Sequence, residues 1–330
     1  MSFFAAALFV AFNGWAPTIA ILFIARIGLG MIYLSTQASR TMLLLDWIPV
    51  RQIGIANGVI FSVIEAVVGA GFIVMPLILA AVDDWRSALY IWAGACGVGA
   101  ALWLVLGRDK PAKEREELAR PGVRSPLGSL FRYKETWILG LGVSGASGGR
   151  MAFATFWPTY LGDEYGISIT IAGLILGLAG IARAPVILGV TLSSFISART
   201  PLLLVICGIL ECVTFMGMIF GETLPFLFLS GIINGMVMVF IPAMMTMLYR
   251  LPGIQEREAA VAVAIYFSCL WAGAALGPVV TGLLSEAKGD LGFALLVMAL
   301  GPLSLVVSGL ILQGFGRRDE SRTATQVEPR

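Results

Sequence analysis

Six ionisable side chains interrupt apolar runs that are each long enough to cross a lipid bilayer. Four are cations and two are anions: Arg26, Arg40, Arg150 and Arg183, with Glu65 and Glu211. A charged group at bilayer depth costs at least about 2.5–3.5 kcal/mol on insertion scales, so each of the six is a candidate functional residue. Because the guanidinium group presents a planar fork of donors that matches carboxylate or phosphate, this excess of arginine indicates chemistry that attracts anions.

A polar stripe on one predicted helix contains two of these arginines. Its members are Arg26, Gly30, Tyr33, Gln37 and Arg40, which follow one another in steps of four, three, four and three residues. That spacing places all five on one helix face. We predict that the four polar members form one wall of a water-filled pathway, with Gly30 at a packing position.

Glu65 follows on the next predicted helix, at a depth similar to that of Arg40. An ion pair between the two would offset both desolvation costs. Two interpretations stay open: a structural pair, or a switch that alternates with solute or proton.

Arg150 and Arg183 lie on two further predicted helices that neighbour each other. Arg150 follows a glycine-rich segment, 145–149, and shares a helix face with Ser147. Two guanidinium groups on adjacent helices predict a bound anion near the middle of the membrane.

The composition restricts the class of protein to which the chain can belong. Of its 330 residues, 58% are hydrophobic and only 13% are charged, whereas soluble domains carry about 25% charged residues. With a mean hydropathy of +0.91, much of the surface must face lipid. Histidine is absent, which excludes His-based catalysis and His metal ligands, and the four cysteines have no metal-ligand or disulfide spacing. We predict no enzyme, metal, cofactor or nucleic-acid partner.

Apolar runs of about 20 residues, the length that crosses a bilayer core, divide the chain into ten predicted helices. Nine are full-length, at 17–45, 53–80, 86–107, 136–161, 168–193, 200–220, 224–250, 258–284 and 291–315. A shorter one precedes them at 2–14. The pattern predicts an all-α, polytopic membrane protein.

Charge predicts the orientation in the membrane. The polar segment 108–135 holds eight of the 22 basic residues. If it is cytoplasmic, 16 Lys and Arg residues lie on that side and two on the other, as the positive-inside rule requires. Both termini are then cytoplasmic. Arginine outnumbers lysine by 18 to four, which is typical of a GC-rich bacterial genome and predicts the inner membrane.

An internal repeat relates the two halves at an offset of about 205 residues. Gly30-Met31 corresponds to Gly235-Met236, and Thr41-Met42-Leu43 corresponds to Thr246-Met247-Leu248. The repeated helices keep their direction through the membrane, so the repeat is parallel, about an axis along the membrane normal.

With these features the chain resembles the major facilitator superfamily of transporters, whose fold joins two six-helix halves through a long cytoplasmic linker. Arg26-Ile27-Gly28-Leu29-Gly30 matches the Arg-x-x-x-Gly element of that family's fourth helix. Trp47-Ile48-Pro49 through Asn57-Gly58 resembles its loop between helices 4 and 5, and Gly273-x-x-x-Gly277-Pro278 resembles its eleventh helix. The segment 156–161 is similar to the cyanate, nitrate/nitrite and organic-anion permease branches.

The resemblance implies that the chain lacks helices 1 and 2 of the usual 12, because six helices follow the linker and only four precede it. We therefore expect an incomplete N-terminal bundle at 1–107, a linker at 108–135, a complete C-terminal bundle at 136–316 and a cytoplasmic tail at 317–330. In the family the helix that carries Asn234 lines the central cavity, which makes Asn234 a binding candidate. Glu211 is expected at the periphery, as a helix–helix hydrogen-bonding group or a coupling site.

Glycines and prolines within the helices are candidate hinge or packing positions. Pro158 is predicted to interrupt its helix. The full set is Gly30, Gly71, Pro76, Pro158, Pro185, Gly273, Gly277 and Pro278.

Together, the resemblance and the buried arginines predict a monomeric secondary active transporter that moves a small organic or inorganic anion by rocking two bundles about a central site. The family's antiporter element is broken around Gly71 and Pro76, which favours symport or uniport. If protons drive it, Glu65 is the coupling carboxylate. Two alternatives stay open: a carrier or efflux pump for neutral or amphipathic compounds, and a truncated, non-transporting protein or assembly partner.

Overall fold

The computed structural model describes residues 2–48, 52–107, 133–193, 199–249 and 256–314, and these ranges are almost entirely helical. The first part of the chain forms α1 (Ser2–Trp15), α2 (Ile19–Trp47), α3 (Ile53–Val82) and α4 (Trp85–Leu106). The second forms α5 (Lys134–Tyr165), α6 (Ile169–Leu192), α7 (Thr200–Phe220), α8 (Leu224–Val237), α9 (Phe240–Tyr249), α10 (Glu256–Lys288), α11 (Leu291–Ala299) and α12 (303–314). No β-strand occurs in the described ranges, so the predicted all-α class is confirmed.

Seven helical segments of the described chain are long and apolar enough to cross a membrane: Ile55–Val82, Trp85–Leu106, Ile169–Leu192, Thr200–Phe220, Leu224–Met245, Val261–Lys288 and Leu291–Gly314. Glycine, serine and Arg150 lower the hydropathy of α5, although its 32 residues span about 48 Å at about 1.5 Å each. Large apolar side chains point outward, with Leu141 65% and Val105 82% exposed. So much exposed apolar surface on membrane-length helices is typical of a protein that faces lipid. The chain is a multi-pass membrane protein.

Side chains and backbone geometry end the helices at short loops. The Asp84 carboxylate caps α4 by accepting hydrogen bonds from the Ser87 and Arg86 amides at 2.9 and 3.2 Å. Asp290 caps α11 in the same way, through the Phe293 amide at 3.1 Å. At the other end of a helix, Gly166 closes α5 with a positive φ of 64°, which glycine adopts without steric cost.

Two predicted continuous helices are broken in the structure. The run predicted at 224–250 divides between Val237 and Phe240. Pro242 follows shortly, and its ring would clash with the carbonyl four residues earlier. The run predicted at 291–315 likewise breaks after Ala299, close to Pro302. A proline near the middle of each run explains why one span contains two helices.

The opposite correction applies to Pro158. The prediction that it interrupts its helix is wrong, because α5 continues through Pro158 to Tyr165. Pro76, Pro185 and Pro278 also lie inside helices, in α3, α6 and α10. Within a packed membrane bundle, neighbouring helices and side chains satisfy the backbone groups that proline frees.

The described residues group into two compact units. Residues up to 56 together with 74–107 form the first, and residues 57–73 together with those from 133 onward form the second. In the first unit, α1 packs against α2 and α4. In the second, α5 packs along α10, and α8 lies against α6 and α7. The predicted linker at 108–135 and the tail at 317–330 fall almost wholly outside the described residues, so the predicted domain limits stay predictions.

Four of the glycines predicted as hinge or packing positions have different surroundings. Gly273 and Gly277 of α10 lie directly against the backbone of Ser144 and Gly148 on α5, where a Cβ could not fit. By contrast, a Cβ at Gly30 would meet no atom within 4 Å. Gly71 is half-buried in α3. Because Gly273 and Gly277 have no side chain, the backbones of α5 and α10 approach closely, and the two helices pack along their length.

Candidate functional site

The second compact unit contains a cavity of about 50 Å³. Residues of α3, α5, α6, α7 and α8 line it, and most are apolar. Three polar side chains interrupt the apolar wall: Arg150, Arg183 and Asn234. Since one water molecule needs at least about 10–15 Å³ of such space, the cavity has room for roughly three water molecules or one small ion.

Arg183 is buried, 6% exposed, and already engaged on one side. Its Nη1 donates to the Glu65 carboxylate at 2.5 Å. Its Nε donates to the Gly235 carbonyl at 3.2 Å. The ion pair offsets the desolvation of both charges, and removing either partner would leave the other uncompensated.

Two helices approach closely enough to form this pair because glycines face each other. An ideal Cβ on Gly69 of α3 would lie 2.5 Å from the Gly177 carbonyl oxygen of α6. A Cβ on Gly180 would lie 2.7 Å from the Gly69 Cα. Glu65 precedes Gly69 by four residues and Arg183 follows Gly180 by three, so each charge lies on the same helix face as its glycine. The glycines therefore let the two helices approach closely enough for Glu65 to reach Arg183.

Arg150, on α5, has unused hydrogen-bonding capacity. Its Nε is buried and meets no acceptor from any residue that the structure describes. Its charge is repelled by Arg183 and attracted by Glu65 and Glu211. Beside it, the stacked rings of Phe153 and Phe215, with centroids 4.1 Å apart, form an apolar part of the wall. A small anion in the cavity would meet a cation that is not saturated by protein groups.

Asn234 belongs to the same wall and is held in place by its neighbours. Its Nδ2 donates to the Thr214 hydroxyl at 2.9 Å. The next residue in α8, Gly235, supplies the carbonyl that accepts from Arg183. One turn of α8 therefore orients both an amide and an arginine.

The structure brings together four of the predicted site residues: Glu65, Arg150, Arg183 and Asn234. Ser147 is not in the lining, because its hydroxyl donates to the Leu270 carbonyl at 2.8 Å and joins α5 to α10. We report no cluster of metal-ligating side chains, since within the described ranges no three Cys, Asp or Glu residues come together as ligands would.

The predicted stripe on α2 belongs to the first compact unit. Arg26 and Tyr33 are exposed there. The side chains of Gln37 and Arg40 lie outside what the structure describes. Glu65 is hydrogen-bonded to Arg183, and its predicted pairing with Arg40 stays a prediction.

Sequence analysis placed Glu211 at the periphery, and the structure buries it completely, with 0% exposure. Neither carboxylate oxygen has a hydrogen-bond partner among the described residues, so it is not the helix–helix hydrogen-bonding group that was one expectation. Its charge interacts with those of Arg150 and Arg183. The sequence spacing could have indicated that Glu211 lies near the cavity. Glu211 shares one face of α7 with Phe215 and Met218, and both of these residues line the cavity.

The chain is thus a multi-pass helical membrane protein with two cationic side chains at an internal cavity. The sequence pattern of the Major Facilitator Superfamily matches residues 1–210 and 139–329, and the chain belongs to that superfamily. The predicted family resemblance is confirmed.

Two curated relatives are transporters of anions by name. Nitrate transporter 2.2 of Chlamydomonas reinhardtii is 27% identical over 149 residues, which cover 40% of this chain and 29% of the relative. The probable L-galactonate transporter of Escherichia coli (strain K12) is 28% identical over 188 residues, 52% of this chain and 40% of the relative. The chain thus matches well under half the length of either protein.

Solved structures agree on the fold. A bacterial homolog of the human lysosomal transporter Spinster, in an inward-facing, unoccupied conformation, superposes with a TM-score of 0.61 at 17% identity. That match covers 94% of this chain and 79% of the other. The inward-facing, occupied conformation gives 0.59 at 15% identity, over 94% and 78% of the two chains. At such identity the likeness establishes the fold alone.

Proposed function

We propose that this chain is a secondary active transporter of a small anion, with Arg150 and Arg183 as the anion-binding pair. The observation that carries the proposal is that guanidinium groups from adjacent helices line one small cavity, and that the Arg150 Nε there has no described protein acceptor. In a largely apolar wall, these charges attract an anion more strongly than they would in water. The names of the relatives, a nitrate and an L-galactonate transporter, support the same charge class.

The size of the cavity favours an inorganic oxyanion over a whole sugar acid. A volume of about 50 Å³ suits nitrate or a single carboxylate group, whereas a six-carbon acid needs a wider cavity. In this proposal Glu65 holds Arg183 while the cavity is empty, and the entering anion replaces that carboxylate. We therefore rank nitrate first among the candidate substrates.

Transport is proposed to proceed by alternating access in the bacterial inner membrane, with both termini in the cytoplasm. The support is the distribution of Lys and Arg among the loops, 16 against two. Fusing a reporter to the C-terminus tests the orientation. Green fluorescent protein should fluoresce there and alkaline phosphatase should be inactive, and the reverse result would refute the orientation.

Uptake into proteoliposomes tests the substrate class. Nitrate should enter, whereas L-galactonate, a six-carbon acid, should not, and uncharged L-galactose should not compete with nitrate. Arg150→Gln and Arg183→Gln should each lower nitrate uptake by roughly 10- to 150-fold, since hydrogen bonds to charged groups contribute about 1.5–3 kcal/mol. Arg150→Lys should be intermediate, because lysine keeps the charge and loses the planar fork.

The matched control for these variants is Lys288→Gln, which removes a cation exposed at the end of α10. It should transport nitrate as the unmodified chain does. Full nitrate uptake by both arginine variants would overturn the anion proposal. Uptake of a neutral compound that does not depend on either arginine would favour the carrier for neutral or amphipathic compounds.

A further inference from the structure

Among the residues that the structure describes, Glu211 is a buried acid close to the cavity that the proposed site does not use. It lies on α7, completely buried, with both oxygens unpaired among the described residues. A carboxyl group enclosed by protein without a hydrogen-bond donor is costly to retain. Such a group within reach of the charges of a binding site is a candidate for proton exchange.

The charges around Glu211 come from the same two arginines that line the cavity. Arg150 of α5 and Arg183 of α6 both attract its carboxylate. On α7 itself, Cys207 and Cys212 are its titratable neighbours. Among the described helices, α8, α9, α11 and α12 pack against α7 and contain no charged residue, and Tyr249 at the end of α9 is their titratable residue. α5 also packs against α7, through Phe153 on Phe215 and Trp157 on the Met218 carbonyl. It brings Arg150 and the hydroxyls of Tyr160 and Tyr165, which donate to the Ile219 carbonyl.

Counting charge shows what an entering anion would do. Arg150 and Arg183 supply two positive charges, and Glu65 and an ionised Glu211 supply two negative ones, so the empty site is neutral. An anion that enters this arrangement adds an uncompensated negative charge to a buried, mostly apolar space. If a proton binds to Glu211 at the same time, the site is neutral again. Neutrality in a low-dielectric interior therefore favours joint binding of anion and proton.

We infer that Glu211 is the coupling site of this protein, and that it binds one proton for each anion bound beside Arg150 and Arg183. This inference rests on the proposed function. A proton from the aqueous phase forms an O–H bond with a Glu211 oxygen as the anion enters. When the anion leaves on the other side of the membrane, that bond breaks and the proton returns to water. The process is proton–anion symport, and no other reactant is needed.

Reciprocal coupling makes the idea measurable at equilibrium. If the proton strengthens anion binding, the anion must strengthen proton binding by the same factor, and such factors are typically about 5- to 150-fold. The nitrate Kd should therefore rise with pH, by up to about tenfold per pH unit where Glu211 titrates. Sequence analysis named Glu65 for this role and left Glu211 open as a second candidate. Glu65 bonds directly to Arg183, so its removal should tighten nitrate binding. The two arginines, an ionised Glu211 and nitrate are then neutral together, so proton uptake should weaken in Glu65→Gln.

The experiment is isothermal titration of the purified full chain with nitrate across a pH series, in two buffers of different ionisation enthalpy. The unmodified protein should take up one proton per nitrate. Glu211→Gln should bind nitrate without proton uptake, with a Kd that changes by less than about twofold across the series. Glu211→Asp keeps the carboxyl group and should keep the proton uptake. The matched control is Glu222→Gln, the same change in an exposed loop, which should behave as the unmodified chain.

Several results would overturn the inference. One is nitrate binding without proton uptake in the unmodified protein, which needs no variant and leaves the anion proposal intact. Another is pH dependence of the nitrate Kd that survives Glu211→Gln. Absence of nitrate binding at every pH would instead defeat the anion proposal for nitrate. If Glu211→Gln does not fold, Glu211→Met, which also removes the titratable group, takes its place.

Discussion

Replacing Gly69 with alanine tests whether the close approach of α3 and α6 controls the Glu65–Arg183 ion pair. The added Cβ would lie 2.5 Å from the Gly177 carbonyl oxygen and 2.8 Å from the Ile181 nitrogen. Both are backbone atoms, so no side chain can rotate away. To reach an ordinary contact of 3.4 Å, the helices must separate by roughly 1 Å.

Two terms determine the effect on stability. Overpacking typically costs about 1–3 kcal/mol, while alanine is favoured over glycine in a helix by about 1 kcal/mol. Gly189→Ala on α6 is the matched control, because a Cβ at Gly189 meets nothing within 4 Å and only the helix preference remains. We expect Gly69→Ala to be less stable than Gly189→Ala by about 1–3 kcal/mol.

The same displacement should affect the ion pair. Stretching the 2.5 Å contact by about 1 Å carries it beyond the usual hydrogen-bond limit of about 3.2 Å. Arg183 is then freer to bind a competing anion, so the nitrate Kd should fall, in the same direction as for Glu65→Gln. Melting in detergent, followed by tryptophan fluorescence, and nitrate titration measure the two effects.

The double variant separates packing from the ion pair. If Gly69 acts through Glu65, Gly69→Ala should change nitrate binding little once Glu65→Gln is present, and the two effects should be far from additive. The reasoning is refuted if Gly69→Ala melts at the same temperature as Gly189→Ala and binds nitrate with an unchanged Kd.

Two further predictions concern stability. Trp157→Phe removes the hydrogen bond from the indole Nε1 to the Met218 carbonyl at 2.8 Å. Because that carbonyl stays buried, the free energy of unfolding should fall by about 1–3 kcal/mol, as a thermal melt would measure. The control is Trp15→Phe, at a position 57% exposed, which should change the stability little. At Asp84, hydrogen bonds from the Ser87 hydroxyl and from the Ser87 and Arg86 amides lower the pKa of the carboxyl from its ordinary 3.8. The Asp84 carboxylate should therefore stabilise the start of α4 above about pH 4, and this stabilisation should be lost as the pH falls through the lowered pKa. Hydrogen exchange of the Ser87 amide measures the loss. Equal exchange rates at pH 3 and pH 6, after correction for the intrinsic rate, would contradict this.

Hydropathy was sufficient to predict where the helices lie, because the bilayer imposes one length and one composition on every crossing segment. It could not predict which prolines break a helix. Pro158 and Pro242 are prolines in similar apolar runs. α5 nevertheless continues through Pro158, whereas the break between α8 and α9 lies just before Pro242. The difference depends on whether neighbouring helices satisfy the freed backbone groups, and a single segment carries no information about its neighbours.

The cost of buried charge was sufficient to select Arg150, Arg183 and Glu65 as candidates. The partner of Glu65 was not predictable in the same way. Glu65 and Arg183 are 118 residues apart, and the contact depends on facing glycines of α3 and α6. Glu211 was placed wrongly because a mostly apolar helix such as α7 gives little indication of which side faces the bundle.

The bond from Arg183 Nε to the Gly235 carbonyl has an evolutionary consequence. Every amino acid has a main-chain carbonyl, so no codon change at position 235 deletes this acceptor. Yet any residue larger than glycine there would overlap the Ala179 carbonyl and push α8 outward. Substitutions can therefore change the side chains that line the cavity, while the backbone of α8 keeps Arg183 in one orientation.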